Sequence, residues 1–175
     1  MVMTSYHDES ELININLDTR EINLKDSPYK DFLSVNKEHY AETLYFKVPR
    51  YYDGVDLMEM ALAIEYVNAK GDSYISPVIV RDIHSCPGYI IFGWCIHGNA
   101  TVAAGTLNFA IHFFSVDVTN HRIIYSLRTK PAAGKILYGI QTQGSKTEQG
   151  LINNYSLDEV ISLLNNNSTI WWHNL

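Results

Sequence analysis

With 175 residues and a mass of 19.9 kDa, the chain has room for one domain with an extension and little room for a two-domain enzyme. A hydrophobic share of 46% excludes disorder along the whole chain, and nineteen Asp and Glu against thirteen Lys and Arg give a net charge of −6 that disfavours nucleic acid as a partner. Twelve tyrosines favour strands and contact surfaces over long amphipathic helices.

The longest apolar run, Tyr89 to Ile96, is too short to span a bilayer, and Met1 to Ser5 lacks the charged start of a secretion signal. Cys86 and Cys95 are too few for a disulfide-stapled fold. The expectation is a soluble protein made in the cytoplasm, with no membrane partner.

Residues 1–41 are polar and weakly patterned, with short alternations at Ile13, Ile15, Leu17 and at Ile22, Leu24, and read as an arm carrying one or two short strands. Leu44, Phe46 and Val48 then alternate with Tyr45 and Lys47 in a half-buried strand that Pro49 ends, and Asp53-Gly54 supplies a tight turn. Ala61 to Val67 and Tyr74 to Ile83 form a hairpin around Asn68 to Asp72, with Pro77 marking an edge position or a bulge. Pro87-Gly88 turns into Tyr89 to Trp94, continuously apolar and therefore expected to be buried on both faces.

His97 to Gly105 reads as a crossover in which Asn99 caps a helical turn. Thr106 to Val116 alternates most clearly, with Leu107, Phe109, Ile111 and Phe113 on one face and His112 and Phe114 on the other. A turn at Val118 to Arg122 leads to a strand at Ile123 to Arg128. Pro131 to Gly134 separates it from a last strand at Lys135 to Ile140. About seven strands with turn signals at short spacing predict an all-β fold, an antiparallel β-sandwich over residues 42–140.

Residues 141–150 have linker composition, and residues 151–175 form a tail. In the tail Ser156 and Glu159 make a capping box for a short C-terminal helix bearing Leu157, Val160, Ile161 and Leu164, followed by Trp171-Trp172. A helix this short needs a partner, so Leu157, Ile161, Leu164, Trp171 and Trp172 are the expected docking residues.

His84-x-Cys86 and Cys95-x-His97 carry zinc-ligand residue types, but an extended strand between them would place the cysteines far apart, so they are read as small buried hydrophobes. Asp53 and Asp56 are read as turn carboxylates bonded to local backbone, not as a calcium or acid–base pair. No nucleophile elbow, P-loop or dinucleotide fingerprint is present, and His112 is read as a rim or interface residue. No catalytic residue, cofactor or metal is expected. Tyr40, Tyr45, Tyr51, Tyr52 and Tyr66 supply either a sugar-stacking surface or area for protein contacts, with Tyr45, Tyr51 and Tyr52 the leading surface candidates.

Ala41 to Leu57 (AETLYFKVPRYYDGVDL), Ile64 to Gly71 (IEYVNAKG), Ala103-Ala104-Gly105 and Tyr125 to Pro131 (YSLRTKP) together resemble a family of tailed-phage virion proteins, the N-terminal β-sandwich domains of upper-baseplate and head-fibre proteins. The resemblance implies an immunoglobulin-like sandwich, no catalytic residues, and an adaptor docked on other phage structural proteins in the virion, with homo-oligomerisation expected. After the sandwich this sequence has no fibre shaft or receptor-binding head, which favours a head-fibre, capsid-decoration or baseplate-connector role over direct host recognition and leaves both head and tail open as its place in the particle. The alternative is a carbohydrate-binding module with an exposed tyrosine platform. A hydrolase ranks below both, because no acid, base and nucleophile share a recognisable local frame.

Overall fold

The computed structural model describes residues 8–139, and these described residues form thirteen strands and no α-helix. They are β1 (Leu12–Asn16), β2 (Glu21–Asn23), β3 (Ser34–Val35), β4 (Thr43–Pro49), β5 (Tyr51–Tyr52), β6 (Val55–Asp56), β7 (Ala61–Val67), β8 (Ser73–Pro77), β9 (Ile79–Asp82), β10 (Tyr89–Cys95), β11 (Gly105–Asp117), β12 (Arg122–Arg128) and β13 (Ala132–Leu137). One sheet has the order β2-β1-β4-β10-β9; the other runs β3-β13-β11-β7-β8, with β12 also paired to β11. Strands β5 and β6 form a separate two-residue-turn hairpin, with Asp53 and Gly54 at positive φ as such turns require. The fold is all-β.

Alternation along each strand decides which side faces the core. From the first sheet β4 sends in Leu44, Phe46 and Val48, and β10 sends in Ile90, Phe92 and Trp94. From the second, β11 contributes Leu107, Phe109, Ile111 and Phe113, and β7 contributes Ile64 and Tyr66. The two sets meet ring against ring. Phe46 lies edge-on to Phe109 at 6.1 Å, Phe92 is perpendicular to Phe113 at 6.3 Å, and Trp94 packs between Tyr66 (5.5 Å) and Phe109 (5.2 Å). The fully buried Trp94 donates its indole N–H to Ser76 Oγ at 3.1 Å, so its one polar atom is satisfied.

Several expectations change. Within residues 1–41, Leu12 to Val35 is no separate arm: β1 pairs in parallel with β4, β3 pairs in parallel with β13, and Ile13, Ile15, Leu17 and Leu33 are buried in the common core. These two parallel pairings also mean that the sheets are not purely antiparallel. The run Tyr74 to Ile83 is two strands, not one, because the chain leaves one sheet after Pro77, which has no N–H to continue the ladder, and joins the other at Ile79. The edge position read from Pro77 is observed, since β8 ends its sheet.

Residues 98–104 form turns and bends instead of a helical turn, closed locally by the Ala100 N–H donating to the His97 carbonyl at 2.8 Å and held by bonds from other segments, and Gly105 already begins β11. Asn68 Nδ2 donates to the Asn99 carbonyl at 2.9 Å and Lys37 N–H to the Thr101 carbonyl at 2.7 Å. The last strand begins at Ala132, inside the stretch read as a turn. There Gly134 lies against the side chain of the buried Leu33, whose Cδ1 would be 2.1 Å from an added Cβ. Residues 140–175, including the linker, the short helix and the Trp pair, lie outside the described residues.

Gly134→Ala forces Leu33 out of a fully enclosed site and is expected to destabilise the fold by about 1–3 kcal/mol in urea unfolding, whereas a near-neutral result would show that the strand can shift to accept a methyl group.

Candidate functional site

The densest polar constellation stands on the outward face of the second sheet. Neighbouring strands there place Glu65 opposite Ala110, and His112 opposite both Ala63 and Arg128. His112, only 4% exposed, approaches Glu65 Oε1 with Nδ1 at 3.0 Å and Ser126 Oγ with Nε2 at 2.9 Å. Arg128 closes the ring, donating to both Glu65 oxygens at 3.1 and 3.2 Å and to Ser126 Oγ at 3.1 Å.

The order serine, imidazole, carboxylate is that of a hydrolase triad. What Arg128 does to it is the physical difference. A guanidinium donating to Ser126 Oγ draws electron density from the oxygen that would have to attack, and the same cation neutralises the carboxylate that would stabilise an imidazolium. Burial, followed by the nearby Arg128 charge, lowers the His112 pKa against the opposing pull of Glu65. Bonding to Arg128 holds the Glu65 carboxyl below its ordinary range. The result is a neutral imidazole joining an ion pair across β7, β11 and β12, which fixes their register.

Next to this network a shallow apolar trough of about 530 Å³ passes Glu65, Val67, Ile75 and Ala110. Further along the same sheet, the β11–β12 hairpin leaves Val116, Val118, Ile123 and Ile124 between 46% and 78% exposed.

The first sheet carries a different surface. Pro49 ends β4, Arg50 grips Asp56 through Nε (2.9 and 3.1 Å to its two oxygens) and through a terminal nitrogen at 2.7 Å, and this ion pair closes the β5–β6 hairpin. Asp56 also accepts the Met58 N–H at 3.0 Å, so the turn-carboxylate reading holds for this residue. The hairpin sets Tyr51 and Tyr52 beside Tyr89 at the start of β10, across from Asn14 and Asn16 of β1 and Asn23 of β2. Together these line a cleft of about 550 Å³.

Each ring in the cleft has a cation near it: Arg50 with Tyr51 at 5.2 Å, Arg20 with Tyr52 at 4.8 Å and Lys47 with Tyr89 at 4.6 Å from the centroid.

The sequence-predicted tyrosines are therefore dispersed. Tyr51 and Tyr52 share the cleft; Tyr45 sits outward on β4, its ring across Gly93; Tyr40 is exposed elsewhere, between His39 and His97; Tyr66 is a core residue. His112 is buried in the network, not placed at a rim. Cys86 precedes β10 and Cys95 ends it, both partly buried. Leu157, Ile161, Leu164, Trp171 and Trp172 lie outside the described residues.

Sequence reasoning missed Glu65, Ser126 and Arg128, which come from strands far apart in the chain, and the asparagines of the cleft. The usable signal was a single charged residue in the otherwise apolar strand Ala61 to Val67, next to a lone histidine in β11.

Because His112 is harder to protonate folded than unfolded, its contribution to stability is complete above its ordinary value near 6.5 and is lost as pH falls below it. Glu65, with a lowered pKa, loses its share only at more acidic pH. Urea unfolding of the unmodified chain should therefore weaken between pH 7 and 5, by at most about 1.4 kcal/mol per pH unit from one proton. His112→Asn should flatten that slope, and an unchanged slope would remove His112 as its source.

No protein-family model matches the chain, and the search of curated proteins returns no significant relative.

Proposed function

We propose that the chain is a non-catalytic structural or adaptor protein of a tailed-phage particle, of the head-fibre, decoration or baseplate-connector kind, that self-associates and docks on other particle proteins. The observation that carries this reading is the exposed apolar surface of the second sheet. Val118 at 78% and Ile124 at 62% exposure stand on one hairpin with Val116 and Ile123, and Ile75 at 74% borders the trough on the same sheet. Grouped aliphatic side chains of this size suit a surface that is covered in an assembly.

The self-contained network at His112 supports a non-catalytic role, since its serine oxygen and its carboxylate both bond the same guanidinium. An immunoglobulin-like sandwich belongs to the same proposal, supported by two packed sheets with a buried tryptophan between them. In this reading the C-terminal segment contributes a short helix with Leu157, Ile161 and Leu164, and Trp171 and Trp172 as anchors, by the sequence pattern described above.

A chain cut after Gln143 is expected to keep the thermal transition of the intact body and to be missing from purified particles when it replaces the full-length protein. Normal incorporation of that truncation would contradict the docking role. Ile124→Asp, a change on the exposed hairpin, should leave the fold intact and lower the particle-bound fraction.

A further inference from the structure

We propose that the cleft between the β5–β6 hairpin and the β1–β2 hairpin is a binding site for a neutral, hydroxyl-rich saccharide, a mono- or disaccharide unit. Its size, about 550 Å³, falls within the roughly 300–1,000 Å³ of small-ligand sites. This goes beyond an assembly role, which the apolar surface of the other sheet supports independently.

The chemistry of the lining selects the ligand class. A sugar ring presents an apolar C–H face and a rim of hydroxyls, each both donor and acceptor. The cleft offers the matching halves: aromatic faces from Tyr51 and Tyr89, 59% and 39% exposed, and side-chain amides, each carrying donor and acceptor atoms, from Asn14, Asn16 and Asn23.

The polar atoms are unequally committed. Asn23 bonds Asp26 through both ends of its amide, and Asn16 Oδ1 accepts the Asp18 and Thr19 N–H groups at 2.9 and 3.1 Å. The Asn14 amide and the Tyr51 and Tyr89 hydroxyls make no side-chain hydrogen bond among the described residues, so they are the groups available to a ligand. Asn14 stands directly opposite Asn23 on the outward face of β1, fixed there by pairing on both sides of its strand.

Charge argues against an anionic ligand. Lys47 is held by Glu9 at 2.9 Å and Arg50 by Asp56, while Arg20 is directed to the Tyr52 ring and hydroxyl. These cations hold the rings in place, which lowers the ordering cost of stacking. What remains uncommitted is neutral apart from the Asp18 carboxylate on the cleft lining, which accepts hydrogen bonds from sugar hydroxyls and repels an anion.

Saturation-transfer NMR of the full chain with methyl glycosides of glucose, galactose, mannose, rhamnose, N-acetylglucosamine and N-acetylgalactosamine tests this. The expected result is transfer to at least one glycoside through its ring C–H protons. Binding should weaken roughly two- to tenfold in Tyr51→Ala and in Asn14→Ala, persist in Tyr51→Phe, and be unchanged in Tyr40→Ala, a tyrosine exposed outside the cleft. The variants are judged at matched melting temperature. No transfer to any glycoside, or transfer that survives both Tyr51→Ala and Asn14→Ala, would overturn the proposal.

Discussion

The ring-on-ring contact between the two sheets is the constraint on which the rest depends. Phe46 and Phe92 from one sheet and Phe109 and Phe113 from the other are buried together, with Trp94 and Tyr66 extending the seam. Each such side chain contributes about 1.5–3 kcal/mol by leaving water, and none can be satisfied by one sheet alone. Because side chains alternate, turning Phe109 and Phe113 inward turns His112 outward, and turning Leu44 and Phe46 inward turns Tyr45 and Lys47 outward. A register slip of one residue would exchange core and surface across a whole strand.

The outward faces then differ in kind. On one, Glu65, His112, Ser126 and Arg128 satisfy one another beside an apolar trough and an exposed aliphatic hairpin. On the other, ion pairs and cations hold tyrosine rings beside amides that have unspent hydrogen-bonding capacity. In the proposed reading, one body uses the first of these faces for assembly and the cleft on the other for a small polar ligand. The segment Lys47 to Leu57 links the core to the cleft, since it runs from the buried Val48 through the Arg50–Asp56 clamp to the buried Leu57.

How much of this the sequence discloses depends on range. Local rules were enough for the strand at Thr43 to Pro49, the Asp53-Gly54 turn, the hairpin organised by Asn68, the burial of Ile90 to Trp94 on both faces, and the inward set of β11. Long-range pairing was not legible. Nothing around Ile13 or Leu33 announces that they enter parallel pairings with strands far along the chain, so the N-terminal region reads as an arm. Small residues misled at Ala132 to Gly134, where the absence of bulk makes room for Leu33 and does not mark a turn. Tyr51 and Tyr52 were identifiable as surface residues, whereas the asparagines that complete their cleft arrive only through sheet order.

The account rests on β1 and β2 being part of one cooperative body, because Asn14, Asn16 and Asn23 have a fixed place only if those strands do. Native-state hydrogen exchange of the full chain, resolved by residue, tests this most directly. The amides of Ile13 and Ile15 should open with the same free energy as those of Phe46 and Phe109, at the global unfolding limit. Exchange of Ile13 and Ile15 through a separate, lower-energy opening while Phe46 and Phe109 stay protected would contradict it, returning the N-terminal region to a detachable arm and dissolving the cleft.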